Sequence, residues 1–300
     1  MATIADPAVT TGAPRRPRSL LLHFIFRLFR EKPLGAAGAV VFMAFLFCGI
    51  FADALAPYGM NQIAPLKRLR PPSLEFPFGT DNLGRDMLSR CLYGAQLSVI
   101  IGFCAAGIAT IISTMIGIVS GYLGGRFDLI LQRFVDAWMS FPTLIVLIVV
   151  VSVVGPGMPQ IIATLGLLYG IGGSRIIRSA VVSVRENMYV HAAQSTGAST
   201  FRVLWRHILP NVLPPVIVLF TTNVGGVILA ESGLSFLGLG VPPPAPTWGG
   251  LLSGSGRTYM LQGPWLALAP GLCLTVVVYA TNMFGDALRD LLDPRMRGSR

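Results

Sequence analysis

Three histidines, four cysteines and two lysines are the side chains of this 300-residue chain best suited to nucleophilic, metal or phosphate chemistry. Their spacing supports none of it. His191 and His207 stand 16 residues apart with no carboxylate or cysteine set beside them, and His23 lies far upstream. A zinc site needs a ligand cluster, and none is present. Cys48, Cys91, Cys104 and Cys273 have neither metal-ligand nor redox spacing. Three of them lie inside apolar runs, where a free thiol behaves as a small hydrophobe, so they read as buried apolar side chains. A phosphate-binding loop places lysine directly after glycine, whereas Lys32 follows Glu31 and Lys67 follows Leu66. The residues therefore offer no catalytic, cofactor-binding or metal-binding set. If ATP drives this chain, another subunit hydrolyses it.

What remains is a thin set of polar residues in or near apolar runs. Asp136 stands beside Arg133 at the expected start of a span, Glu231 and Asp286 at the expected ends of two others. Ionisable groups at membrane depth are functional candidates, so pathway or gating roles compete with pairing and capping. Asn223 and Asn282 fall within apolar runs, where hydrogen bonding between helices competes with a pathway role. From Thr80 and Asp81 to Arg90 the residues carry the start signal of a short outer helix with Asp81 as a possible cap.

Composition says what must position these residues. The chain is 53% hydrophobic and 12% charged, against roughly 25% charge in a soluble domain. Lipid is the better solvent for it. The net charge of +10 does not point to nucleic acid, because the basic residues are spread between apolar runs without an aromatic RNA-binding pattern.

Crossing about 30 Å of hydrocarbon takes roughly 20 helical residues. Residues 34–52 are uncharged and longer than a signal-peptide core, so they read as an uncleaved first span. Residues 137–174 are uncharged but too long for one helix, and Gly155-Pro156-Gly157-Met158-Pro159 forces a turn within them. The chain reads as an all-α integral membrane protein with six transmembrane helices, about 34–56, 93–121, 133–154, 160–182, 212–231 and 264–285, within a transmembrane domain at 34–290. Residues 1–19 read as a disordered cytosolic tail, 20–33 as a helix lying in the membrane interface or else extending the first span, and 291–300 as a second cytosolic tail. With the N-terminus inside, 17 of the 23 lysines and arginines fall on inner segments. The positive-inside rule then predicts N-in, C-in.

The segment 185–210 is the most informative. It reads as a short helix, a glycine turn at Gly197, a second amphipathic stretch and a proline stop at Pro210. Gly197 can adopt positive φ, and Ala192 and Ala193 are small enough to enter another protein's groove.

This segment resembles the "EAA" loop of ABC-importer permeases: Ala192-Ala193, then Gly197, then Ile208-Leu209-Pro210. His191 stands where that motif has its leading glutamate. Phe78-Gly79-Thr80-Asp81-Asn82-Leu83-Gly84-Arg85-Asp86, Glu231-Ser232-Gly233-Leu234-Ser235-Phe236 and Gly285-Asp286-Ala287-Leu288-Arg289-Asp290 are similar to segments of dipeptide, oligopeptide and nickel permeases, of the C-type subunit. The resemblance spans residues 20–297. It implies a type I ABC importer permease, N-in/C-in, in a bacterial or archaeal cytoplasmic (inner) membrane. Its partners would be a homologous B-type permease, two ATP-binding subunits that use ATP and Mg, and an extracytoplasmic substrate-binding protein. Tyr189, His191, Ala192, Ala193, Gly197, Ala198 and Pro210 would then couple to the ATPase. Thr80, Asp81, Arg85 and Asp86 would be possible contacts of the docked binding protein. The substrate would be a peptide, with nickel, opine or glutathione as alternatives. The competing reading is a secondary transporter or channel working alone, which needs coupling groups near the bilayer midplane.

Overall fold

The computed structural model describes residues 20–292, with side chains from residue 24 onward. The tail 1–19, most of 291–300 and the side chain of His23 lie outside it. Among the described residues the secondary structure is helical, apart from one isolated bridge between Thr80 and Asp86.

α1 (Leu20–Glu31) ends where Lys32 leaves helical geometry, and Pro33 opens α2 (Pro33–Ile50). Proline suits a first helical position because its missing N–H would have no partner there. α3 (Ala52–Leu55) follows after one residue, so the apolar run 34–56 is two helices rather than one.

A largely non-helical segment, residues 56–86, leads to α4 (Met87–Leu123). Asp86 caps α4, accepting from Ser89 N at 2.8 Å and Ser89 Oγ at 2.7 Å. This corrects the expectation of a separate outer helix capped by Asp81: residues 87–90 are the first turn of the second span. α5 (Gly125–Met139) and α6 (Thr143–Val154) meet at an angle of 81°. The third span, expected as one helix over 133–154, is therefore broken. Pro142 has no N–H to donate, and proline disfavours helical geometry in the residue before it.

α7 (Met158–Arg185) leads into α8 (Met188–Ser195) and α9 (Thr200–Val203). A π-helical turn at Leu204–Ile208 then joins α9 to α10 (Leu209–Phe236). The helix runs through this region without interruption, so Pro210 opens α10 and is not the stop that its sequence suggests. Short helices α11 (Trp248–Leu251) and α12 (Arg257–Tyr259) precede α13 (Trp265–Leu292). Helices α2, α4, α7, the Thr200–Phe236 stretch and α13 are each long and apolar enough to cross a membrane, and the bent α5–α6 pair meets the same test jointly.

Helix packing is built on small residues, as expected where lipid removes the hydrophobic drive between helices. α4 and α7 lie closest. A Cβ on Gly117 would sit 2.7 Å from Ile177 Cβ, and one on Gly170 would sit 2.8 Å from Ile112 Cβ. Ser113 Oγ crosses the seam to Gly170 O at 2.7 Å. A core of Phe42, Phe45, Ala106, Ile228 and Trp248 joins α2, α4, α10 and α11, and Trp248 Nε1 donates to Cys91 O at 3.0 Å. Cys91 is buried as expected, but Cys104 points outward.

The two ends of the described chain meet. Leu28 and Ala36 pack with Ala287 and Leu291. Lys32 Nζ donates to Asp290 Oδ2 at 2.5 Å.

Candidate functional site

The segment after α7 is a projecting knob on a rigid base. Ile177, Val181, Val190, Val203, Ile208, Val212 and Leu219 form one buried cluster. Three of these, Val190, Val203 and Ile208, come from the knob and are fully buried. They pin α8, α9 and the π turn to the C-terminal part of α7 and the N-terminal part of α10. Burying an aliphatic side chain is worth about 1.5–3 kcal/mol, so three anchors hold the knob firmly.

Polar contacts fix its entry. Arg185 Nη1 donates to Tyr122 O at 3.1 Å and Gly121 O at 3.3 Å, capping the end of α4 from the end of α7. Gln194 Nε2 donates to Tyr122 OH at 3.1 Å. Arg178 grips Asp128 with two hydrogen bonds, and Ser120 Oγ also donates to Asp128.

The turn at Gly197 is a Schellman motif. Gly197 has φ +80°, Gly197 N donates to Gln194 O at 3.0 Å, and Ala198 N donates to Ala193 O at 3.1 Å. These bonds satisfy carbonyls that the end of α8 would leave free. Ser199 then caps α9, accepting from Arg202 N at 3.4 Å. Ala193 and Ala198 are half-buried at this turn, while Tyr189, His191, Ala192, Gly197 and Pro210 face outward.

Sequence reasoning passed over the strongest feature of the knob. Met188 is 88% exposed, Phe201 70% and Trp205 59%. The Phe201 and Trp205 rings lie side by side with centroids 5.9 Å apart and planes tilted by 51°. Large apolar groups exposed together outside the long apolar helices mark a candidate interaction surface. Their spacing of four residues, one helical turn apart, was the available signal.

The other candidates scatter. Asp136 pairs with Arg175 on α7 and with Arg133 at 3.6 Å on its own helix. Glu231 is 1% exposed, within α10 and not at its end, and Ser235 Oγ donates to its Oε1 at 2.6 Å. Asn282 Nδ2 donates to Val278 O of its own helix at 2.8 Å, so it makes no bond between helices there. Asp286 lies inside α13 and lines a cavity of about 450 Å³ with Pro214, Pro215 and Arg289. Asn223 is buried at the middle of α10.

Thr80, Asp81 and Asp86 are buried, which corrects their expected role as a contact surface. Thr80 Oγ1 accepts from Arg70 N at 2.9 Å. Asp81 Oδ1 accepts from Leu83 N at 2.8 Å and Arg85 N at 2.9 Å, and its Oδ2 accepts from Arg85 Nε at 2.7 Å. These side chains fold the segment before α4 onto itself. Arg85 alone of the four remains partly accessible, on the wall of a cavity of about 640 Å³.

Residues 113–298 match the family model of the binding-protein-dependent transport system inner membrane component, and residues 21–72 match the N-terminal TM domain of oligopeptide transport permease C. The dipeptide transport system permease protein DppC of Alkalihalophilus pseudofirmus is 38% identical over 91% of this chain and 89% of its own length. DppC of Bacillus subtilis is 35% identical over 94% of this chain and 88% of its own. The glutathione transport system permease protein GsiD of Escherichia coli is 36% identical over 98% of this chain and 96% of its own. Among solved structures, an inward-facing MetNI methionine ABC transporter chain aligns with a TM-score of 0.58 at 16% identity, covering 69% of this chain and 98% of that one.

Proposed function

Because the chain belongs to the family of binding-protein-dependent transport system inner membrane components, we propose that it forms half of the translocation path of an ATP-driven importer for short peptides. The observation that carries this reading is the rigid knob with Met188, Phe201 and Trp205 exposed on it. A stand-alone transporter has no use for an apolar handle outside the membrane; a permease driven by separate ATPase subunits needs one. The peptide substrate is supported by the relatives' names, which are dipeptide and peptide permeases for the most part. Glutathione is a tripeptide derivative and falls in the same chemical class.

In this reading the knob faces the cytosol, both described ends lie on that side, and the membrane is the bacterial inner membrane. The partners are a second permease of the same fold, two ATP-binding subunits and an extracytoplasmic binding protein. ATP and Mg are held by the ATP-binding subunits, since this chain has no glycine-rich phosphate loop. Closure of the ATPase pair pulls on the knob. The buried anchors Val190, Val203 and Ile208 pass the displacement to α7 and α10 as rigid bodies.

Co-expression of the candidate subunits and affinity purification through this chain test the reading. ATPase subunits remain bound, and proteoliposomes containing the complex and its binding protein take up dipeptide only with ATP inside the vesicle equivalent of the cytosol. Peptide accumulation by this chain without a nucleotide-hydrolysing companion would sink it.

A further inference from the structure

The cavity of about 640 Å³ beside Arg85 has the size that small ligands occupy, roughly 300–1,000 Å³. Arg85 and Arg90 line it from the residues that open α4, Ser253 and Ser255 from the turn between α11 and α12, and Pro243 and Pro244 from the loop before α11. It lies at the end of α4 away from the knob. Tyr122, near the other end of that helix, meets Arg185 and Gln194 at the base of the knob. At roughly 1.5 Å per residue, the helix between Arg90 and Tyr122 spans about 48 Å.

Two cations line this space, and no aspartate or glutamate does. The Arg90 side chain is 7% exposed and that of Arg85 15%. Among the described residues, Asp81 is the one carboxylate within ion-pair reach of either guanidinium. Its Oδ2 lies 2.7 Å from Arg85 Nε and 3.9 Å from Arg90 Nε, and its Oδ1 accepts from Leu83 N and Arg85 N. Asp86 is turned to Ser89 at the start of α4. Glu231 accepts from Ser235, behind the wall and off the lining. One carboxylate thus serves two largely buried guanidiniums, and a buried charge without a full partner is unfavourable. Donors are left over as well. Arg85 bonds through Nε, while its Nη1 and Nη2 are neither bonded nor enclosed among the described residues. Arg90 Nε is enclosed and out of a ligand's reach. Its Nη1 has Met60 O at 3.4 Å, and its Nη2 is neither bonded nor enclosed.

We infer that this cavity receives the terminal carboxylate of the transported peptide, gripped by the Nη groups of Arg85 and Arg90. This rests on the peptide-importer reading, in which the end of α4 opposite the knob faces the side from which peptide arrives. A guanidinium offers paired donors that match the two oxygens of a carboxylate. Every linear peptide ends in that group, so the grip is indifferent to sequence. The lining has no acid to hold an ammonium, so the amino end is not selected here.

The test uses the complete importer in nanodiscs, with the four native cysteines replaced by alanine and Gly254→Cys introduced. Gly254 is exposed on the lining, and a Cβ there meets nothing within 4 Å. Labelling by a small maleimide is timed with alanyl-alanine, with alanyl-alaninamide and with ligand-free binding protein. Saturating alanyl-alanine should slow labelling about fivefold or more, and the amide should need roughly tenfold more for the same effect, as expected on losing a charge-assisted hydrogen bond. Arg85→Gln should remove most of the acid's advantage. Ile111→Cys, on an outward face of α4, should label alike throughout. Equal slowing by acid and amide, or slowing by neither, overturns the site, and this comparison needs no change at the arginines, so a misfolded Arg85→Gln cannot mask it. Slowing by ligand-free binding protein but not by alanyl-alanine assigns the arginines to docking and overturns the site too. Either result from a complex that still accumulates peptide with ATP leaves the importer reading standing. Absence of ATP-driven uptake of any peptide removes that reading, and the peptide assignment of the cavity with it.

Discussion

Asp128 and Arg178 clamp the start of α5 to the C-terminal part of α7: Arg178 Nε donates to Asp128 Oδ1 at 2.6 Å, and Arg178 Nη2 engages Oδ2. The pair sits beside the seam between α4 and α7, because Ser120 of α4 donates to the same carboxylate. Two-point pairing of arginine with carboxylate fixes direction as well as distance. It ties the broken third span to the straight helix that carries the knob.

Cutting that clamp should loosen the fold measurably. Asp128→Ala is expected to lower stability by about 1–3 kcal/mol, the usual range for a hydrogen bond to a charged group. The thermal unfolding midpoint of the detergent-solubilised protein reads the change. Exchanging the two residues, Asp128→Arg with Arg178→Asp, should recover part of the loss. Equal midpoints for the native protein and Asp128→Ala would show the clamp to be idle.

The exposed aromatic pair should matter for assembly and not for folding. Phe201→Asp and Trp205→Ala leave the buried anchors untouched, so the permease should keep its unfolding midpoint. Each change should weaken association with the ATPase subunits by about 2 kcal/mol or more, the scale of an aromatic hot spot, or roughly thirtyfold in Kd. Surface binding of purified ATPase subunits to the permease in nanodiscs measures it. Unchanged affinity in both variants would move the docking surface elsewhere on the chain.

At Gly197 the backbone conformation is the requirement, and a Cβ there meets no neighbour. Gly197→Val is expected to cost about 1–2 kcal/mol locally, because the left-handed region is unfavourable for a β-branched residue. Gly197→Asn should be nearly silent, since asparagine visits that region readily. Transport per ATP hydrolysed should fall in the valine variant and hold in the asparagine one. If both variants transport alike, the turn is not the element through which the knob is moved.

The seam between α4 and α7 gives a contrast within a single helix. Gly117→Leu must displace Ile177 and the backbone of α7, and overpacking of this kind costs about 1–3 kcal/mol or more. Gly107→Ala meets nothing within 4 Å and should be tolerated, with a slight gain from helix propensity. Size-exclusion profiles after solubilisation should show aggregation for Gly117→Leu alone. A monodisperse Gly117→Leu protein would contradict the close approach of these helices.

The apolar runs announced the membrane fold because length and charge depletion are strong signals, and the Gly155–Pro159 turn could be placed because four breakers cluster within five residues there. The break at 140–142 was hidden in plain view. Pro142 stands in an uncharged stretch, so hydropathy continues smoothly across it, and a single proline ranks below a cluster of breakers. The outer polar segment misled for a different reason. Asp81 and Asp86 look like surface residues, yet Asp81 Oδ1 accepts from Leu83 N and Arg85 N, and Asp86 Oδ2 accepts from Ser89 N. Charge alone does not say whether a carboxylate faces water or its own chain. Phe201 and Trp205 were missed because an aromatic pair beside arginines reads equally well as a packed face or an exposed one. Only burial separates the two.

The contact between Lys32 and Asp290 has an arithmetical consequence. Two groups that touch occupy the same side of the bilayer, so the chain between them traverses it an even number of times. Five straight traverses would strand the partners on opposite faces. If each of those five helices crosses, the kinked α5–α6 pair supplies the sixth passage and is not a loop that dips in and returns. On that reading, residues on either side of its elbow belong to opposite halves of the membrane, and the half that carries Asp128 is the one clamped to α7.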